Sequence, residues 1–435
     1  MILAPNRQQL LSGNKVFAYL LLPLLLISCV AFKKTKKVEW PADEEIVEVK
    51  PEKVVEKSVI AKPKVDAKDE ETLVYSTVLF KGEEFRVPQH KHNFDIAVLL
   101  PFHTDASNRS MDKRRADVML EYYQGIKIAI NQARQLGSTF TVHFYDTDND
   151  TSKLKTILKN PVMDKVDLIL GPTSEDQVKI AAYFARERKI PLLSPFTTMS
   201  NLWGNNPYLF NLQPSDAMQA LVFLDYFKKY HGSEKLLIIR DGQSFDKSFG
   251  EALVAECNKQ SINFTSVKYD QYAKWSNFLG PDKTVVLLTA KDKRKTKLDN
   301  VVTGLQSKAA NVTLVGPEEW LDYANASYDQ WQKVNITLMS TNKAQVMNYE
   351  TKHVIENYRL NYNDDPSKYT FMGHDQMLFA FEALDAFGSL FPLFLEGKSM
   401  DYANTTISLT KSATCFQNKF LQLYKLENNE LRAVE

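Results

Sequence analysis

The chain has 435 residues, 44% of them hydrophobic and 25% charged, which is ordinary globular composition with length for two or three domains. The formal net charge is +1, without the basic excess that nucleic-acid binding needs. Three cysteines are too few for a disulfide framework.

Residues 1–28 read as a targeting segment. Arg7 and Lys15 form a basic start, Val16 to Ile27 an apolar run interrupted by Pro23, and Leu26-Ile27-Ser28-Cys29 closes it. The run is short for a spanning helix. The closing tetrapeptide resembles the bacterial lipobox, which implies cleavage before Cys29 and a diacyl anchor on that residue. Cleavage takes Arg7 and Lys15 away and shifts the net charge from +1 to −1. Val30 is not the aspartate of the inner-membrane retention signal, so the expected place is the periplasmic face of a Gram-negative outer membrane. Residues 29–71 mix Lys, Glu, Val and Pro without an apolar period and read as a disordered tether. As a coil it would reach about 40 Å.

Residues 72–92 form a leader, in which Leu73 to Val87 reads as a strand pair or as lead-in chain. His90 and His92 within it are an isolated pair, not a metal site. Phe94 to Pro101 (FDIAVLLP) is a buried strand. A long polar loop, His103 to Asp117, carries Arg109, Lys113, Arg114 and Arg115. A helix is expected over Tyr122 to Leu136, with Ile126, Ala129, Ile130 and Ala133 on its inner face. Phe140 to Tyr145 is the second strand. Asp146, Asp148 and Asp150 follow, but Thr151 and Ile157 stand where a calcium loop needs Gly and Glu, so these aspartates read as caps and turns.

Val166 to Leu170 is a strand apolar on both faces, stopped by Gly171-Pro172. Ser174 and Gln177 fit a capping box, and Val178, Ala181, Ala182 and Ala185 make one helical face. Ile190 to Leu193 is the next strand, and Ser194 to Thr198 leaves its carboxyl end. Two hydroxyl-rich turns would then share one sheet edge, where open α/β sheets bind ligands.

Tyr208 to Gln213 leaves the first half, and Pro214-Ser215-Asp216 restarts a helix. The cycle repeats through strand Lys235 to Arg240, loop Asp241 to Asp246, helix Gly250 to Gln260, and strands at 263–269, 284–289, 312–315 and 334–340. Cys257 sits in an apolar helical pattern and reads as a buried free thiol, with pairing to Cys415 the alternative. Phe371-Met372-Gly373-His374-Asp375 opens a long helix. Around Asn428-Asn429 the end reads as a hairpin. No HExxH, GxxxxGK[ST], GxSxG or GxGxxG occurs, so neither an enzyme nor a cofactor is expected.

The ordered series IAVLLPF, YYQGIKIAINQA, FYDTDND, DLILGPTS, IPLLSPFTT, LLIIRDGQSF and FMGHDQM resembles the type I periplasmic binding proteins, nearest the leucine/isoleucine/valine-binding receptors. The resemblance covers about residues 93–434. It implies two Rossmann-like α/β lobes joined by a three-strand hinge, with lobe one at 93–213 and 341–405 and lobe two at 214–340 and 406–435. It also implies a cleft in which Thr173, Ser174, Ser194, Thr197 and Thr198 hold a ligand carboxylate. Asp241, Ser244 and Phe245 would face them from the second lobe, and Asp375 would be a helix cap. Phe196 stands where amino-acid receptors have a small residue, which narrows the pocket.

The function expected from the resemblance is capture of a small, amino-acid-like solute for an ABC-type permease. The alternative is a non-transport envelope lipoprotein that binds an envelope protein or a peptidoglycan component, for example as a regulator of the cell-wall synthesis machinery. The long tether suits the second; the hydroxyl loops suit the first.

Overall fold

The computed structural model describes residues 75–80, 83–88, 93–103, 110–137, 139–198, 205–291, 295–323, 328–343, 348–412 and 415–434. Cys29, residues 1–71, the His90–His92 pair and residues 104–109 lie outside them.

Strands β1 (Tyr75–Phe80) and β2 (Glu83–Pro88) pair antiparallel as a separate hairpin. The first lobe then alternates β3 (Phe94–Leu100), α1 (Ser110–Gln135), β4 (Phe140–Asp146), α2 (Thr151–Ile157), β5 (Leu168–Leu170), α3 (Glu175–Arg188), β6 (Leu192–Ser194) and β7 (Leu209–Asn211). The second lobe continues with α4 (Asp216–His231), β8 (Lys235–Arg240), α5 (Glu251–Lys259), β9 (Phe264–Lys268), β10 (Thr284–Leu288), α6 (Thr296–Leu305), β11 (Val312–Pro317), α7 (Tyr328–Lys333) and β12 (Thr337–Ser340). The chain returns to the first lobe for α8 (Tyr349–Tyr362), α9 (Lys368–Phe387), β13 (Ser399–Asp401), β14 (Thr406–Lys411) and β15 (Phe416–Asn418), and ends in the second with β16 (Gln422–Glu427) and β17 (Glu430–Ala433).

One sheet runs β13-β14-β15-β7-β6-β5-β3-β4 and the other β17-β16-β12-β11-β10-β8-β9. From β15 to β4 and from β12 to β9 the neighbours are parallel, as strand–helix–strand units demand. The central strands of each sheet are buried on both faces, which explains their unbroken apolar runs. Along β3, Ile96, Val98 and Leu100 enter one core while Ala97 and Leu99 enter the opposite one. Leu237 and Ile239 of β8 alternate with Leu236 and Ile238 in the same way.

Four expectations are corrected. First, the second return to lobe two falls after Asn418, not after 405, because β14 and β15 hydrogen-bond into the first sheet beside β7. Second, the stretch expected as a loop to Asp117 is helical from Ser110, since its residues include no Gly or Pro and extend the apolar face with Val118 and Met119.

Third, α9 begins at Lys368, so His374 and Asp375 lie inside it, fully buried, and Asp375 is not its cap. Ser367 caps the helix, accepting from the Tyr369 and Thr370 amides, while Asp375 Oδ2 accepts from the Asn404 amide at 2.7 Å. Fourth, the capping box at Ser174 does not form. Gln177 turns away, accepting from Thr147 Oγ1 at 3.1 Å and donating to the Asp150 carbonyl at 3.0 Å, and the Ser174 side chain makes no capping bond. The expected turn duty at 146–150 does appear: Asp150 caps α2, and Asp146 Oδ1 accepts from the Phe102 and Asp148 amides.

Candidate functional site

Three stretches join the lobes: 212–215, the chain after β12, and 419–421. They are tied to each other. Asn418 donates to the carbonyls of Leu212 and Thr406, both at 3.1 Å, and accepts from the Ser408 and Phe420 amides at 2.9 and 3.1 Å. Ser215 Oγ donates to Gln417 Oε1 at 2.8 Å. Asn404 Nδ2 donates to Asn342 Oδ1 at 3.0 Å, and Asn342 Nδ2 to Glu318 Oε1 at 2.9 Å.

An interlobe cavity of about 210 Å³ opens beside these crossings. Phe196, Thr198, Lys368 and Tyr369 line it from the first lobe, and Phe245, Lys291, Glu318 and Glu319 from the second, with Asp216 at the head of α4. Phe245 stacks on Phe249 with centroids 4.8 Å apart, and Lys291 lies over its ring at 4.8 Å. Lys291 also pairs with Glu319 at 2.6 Å. The Ser340 hydroxyl donates to Glu318, and the Ser248 hydroxyl to Asp216. Burial pushes the Glu318 and Asp216 carboxyls up from their ordinary values, because desolvation disfavours the charged form.

A second, larger cavity of about 560 Å³ lies within the first lobe. His103, Arg114, Arg115, Asn149, Thr173 and Ser174 supply its polar wall, and Val118 and Met119 its apolar floor. Phe196 and Tyr369 line both cavities, so they form the partition. Phe196 is held there by Tyr122 and Tyr369, with ring centroids 5.1 and 6.4 Å away. The loop carrying it is pinned from below: Gln376 Nε2 donates to the Pro195 carbonyl at 3.1 Å, and the Tyr122 hydroxyl donates to Gln376 Oε1 at 2.6 Å.

The residues expected to share one ligand are therefore dispersed. Thr173 and Ser174 face the lobe-one cavity, and Thr198 and Phe245 the interlobe one. Ser194 and Thr197 are buried, with Ser194 Oγ donating to Thr197 Oγ1 at 2.7 Å. Asp241 is taken by Lys297 at 2.8 Å, its carboxylate fully buried, and Ser244 is exposed away from both cavities. Asp246, which pairs with Arg240, organises that loop through the Gly242 amide and Thr289 hydroxyl. Glu318, Glu319, Lys291 and Tyr369 were not singled out from sequence. The signal for the glutamates was present, since Pro317-Glu318-Glu319 leaves the carboxyl end of a parallel strand.

Among the described residues no cluster of three or more His, Cys, Asp or Glu could hold a metal ion. Nor is any helix there long and apolar enough to cross a membrane.

Two α/β lobes with triple crossings and a cleft between them are the type I periplasmic binding protein fold, and comparison with known proteins agrees. Residues 126–304 match the family described as the receptor family ligand binding region. Solved structures share the fold at low identity. One is an ABC transporter substrate-binding protein from Desulfitobacterium hafniense in complex with Leu: 16% identical, TM-score 0.51, covering 79% of this chain and 100% of that one. A branched-chain amino acid transporter protein from Rhodopseudomonas palustris is 12% identical with TM-score 0.55, covering 79% and 96%. A periplasmic ligand-binding protein of a branched-chain amino acid ABC transporter from Burkholderia xenovorans is 12% identical with TM-score 0.51, covering 79% and 94%. No curated protein matches the sequence. These solved structures are named as transporter and ligand-binding proteins, and what they share with this chain is the fold.

Proposed function

We propose that the protein is a lipid-anchored receptor of the periplasm that captures a small, amino-acid-like solute between its lobes and presents it to an ABC-type permease. One observation carries this reading: the interlobe cavity is lined from both lobes and holds a half-buried carboxyl, Glu318, beside Asp216 and Glu319. A ligand amine placed there would be met by carboxylates in a poorly hydrated site, where such pairing is strong. Closing the lobes over it would bury it further. The lipobox-like Leu26-Ile27-Ser28-Cys29 supports the anchor, and the kind of proteins that share the fold supports the transport role.

The test is thermal unfolding of the full-length protein against amino acids and short peptides. A true ligand at a hundred times its dissociation constant adds about 2.7 kcal/mol of stability by mass action, a rise of a few degrees. Glu318→Gln should weaken binding of the amine-bearing ligand at least tenfold. Absence of any shift across the panel would reject the reading.

A further inference from the structure

The two cavities that meet at Phe196 and Tyr369 differ in charge. Among the described residues, the lobe-one cavity is lined by no carboxylate and by two guanidinium groups, Arg114 and Arg115. Neither arginine has an ion-pair partner among the described residues; they project from consecutive positions of α1, yet both reach the cavity. The third basic group, His103, is engaged by Asp148 at 3.3 Å. On the other side stand Asp216, Glu318 and Glu319 against Lys291 and Lys368, and Lys291 is already taken by Glu319. One side thus offers uncommitted positive charge over an apolar floor, and the other offers carboxylates.

Between them stands an aromatic partition. Phe196 has rings 5.1 and 6.4 Å away on its flanks. A single α-amino acid carries its amine and carboxylate within the span of one residue, about 3.5 Å at most. That is less than the usual spacing of packed rings, about 4.5–7 Å, so one such molecule cannot place a charge on each side. Two extended residues span about 7 Å, enough to pass the edge of one ring.

We infer that the solute is an extended zwitterion of di- or tripeptide size, its carboxylate in the lobe-one cavity at Arg114 and Arg115 and its amine in the interlobe cavity at Glu318 and Asp216. This rests on the solute-binding reading above and narrows it. Bidentate guanidinium–carboxylate pairing suits the acid end, and the uncommitted Ser174 hydroxyl adds a donor. The apolar floor of Val118 and Met119 accommodates the carboxyl-terminal side chain.

Calorimetric titration of the full-length protein with leucine, dialanine, trialanine, dialanine amide and N-acetyl-dialanine tests it. Dialanine or trialanine should bind at least tenfold more tightly than leucine. Amidation and acetylation should each cost at least tenfold. In the Arg114→Gln/Arg115→Gln double variant, free acid and amide should bind alike; both side chains are exposed, so the substitutions leave the core untouched. Leucine binding as tightly as the peptides, or amide binding as tightly as free acid in the unmodified protein, overturns the inference while leaving the receptor reading intact. If no probe binds, both fall.

Discussion

Glu318, the proposed partner of a ligand amine, also carries a stability signature. It is half-buried beside β12, accepts from Asn342 and Ser340, and has its pKa raised chiefly by desolvation, with Glu319 adding repulsion. A carboxyl whose folded pKa lies above its unfolded value binds more protons in the native state across that interval. Its contribution to stability is therefore full below the unfolded value, near 4.3, and is lost as pH rises through the folded value. Asp216 acts in the same direction. Glu318→Gln removes the titration and keeps an acceptor for Asn342. The variant should gain stability relative to the parent as pH rises from about 4.5 to 7.5, read as the difference between their unfolding midpoints across that range. Parallel midpoint curves would show that Glu318 titrates as an exposed carboxyl does. Other single residues followed their sequence reading. Cys257 and Cys415 are both free and buried, and burial pushes the Cys257 thiol up to about 11. Phe196, singled out as too bulky for a carboxylate loop, became the partition because Tyr122 and Tyr369, distant in sequence, clasp it.

Helices α1 and α9 form the tightest pair of elements in the first lobe, and two glycines allow it. A Cβ on Gly125 would stand 1.9 Å from the Thr370 carbonyl oxygen, and one on Gly373 2.0 Å from that of Tyr122. Both contacts are with backbone, which cannot rotate aside. Gly373→Ala would gain about 1 kcal/mol in helix propensity. It would lose about 3 kcal/mol, the upper end of the usual overpacking cost, because the clash is with backbone and the helices are forced apart. The net should be destabilisation of about 2 kcal/mol, measured by urea unfolding; an unchanged or raised midpoint would mean the helices are not in such close contact. The apolar face of α1 was legible from its 3.6-residue period. The starts of α1 and α9 were not. Polar first turns such as 110–117 look like loop until they are seen to continue an apolar stripe, and Asp375 looked like a cap because its partner, the Asn404 amide, lies 29 residues away. Gln177 likewise matched a local capping pattern while its actual partners sit on the loop before α2.

At the scale of the whole molecule the crossings decide how the lobes relate. Asn418 is almost wholly buried there and uses its side-chain amide fully, with two bonds given and two received. Asn418→Ala would leave the Ser408 and Phe420 amides and the Leu212 carbonyl without this partner and should cost about 3 kcal/mol, seen as a lower urea midpoint; a change under about 0.5 kcal/mol would mean water replaces the side chain freely. The alternation of apolar strands and amphipathic helices, the doubly buried sheets, the closing hairpin and the seven-motif resemblance were all determined by the sequence by itself. Each depends on periodicity or on turn chemistry within a few residues. Only the tertiary structure decided the rest. It moved 406–418 into the first lobe, committed Asp241 to Lys297 and Ser194 to Thr197, and divided the expected binding residues between two cavities. The physical reason is that the cavity a hydroxyl or a carboxylate lines, and the internal partners that compete for it, are set by how distant elements pack. Those partners came from other strands and helices, tens to hundreds of residues away, where local pattern has no reach.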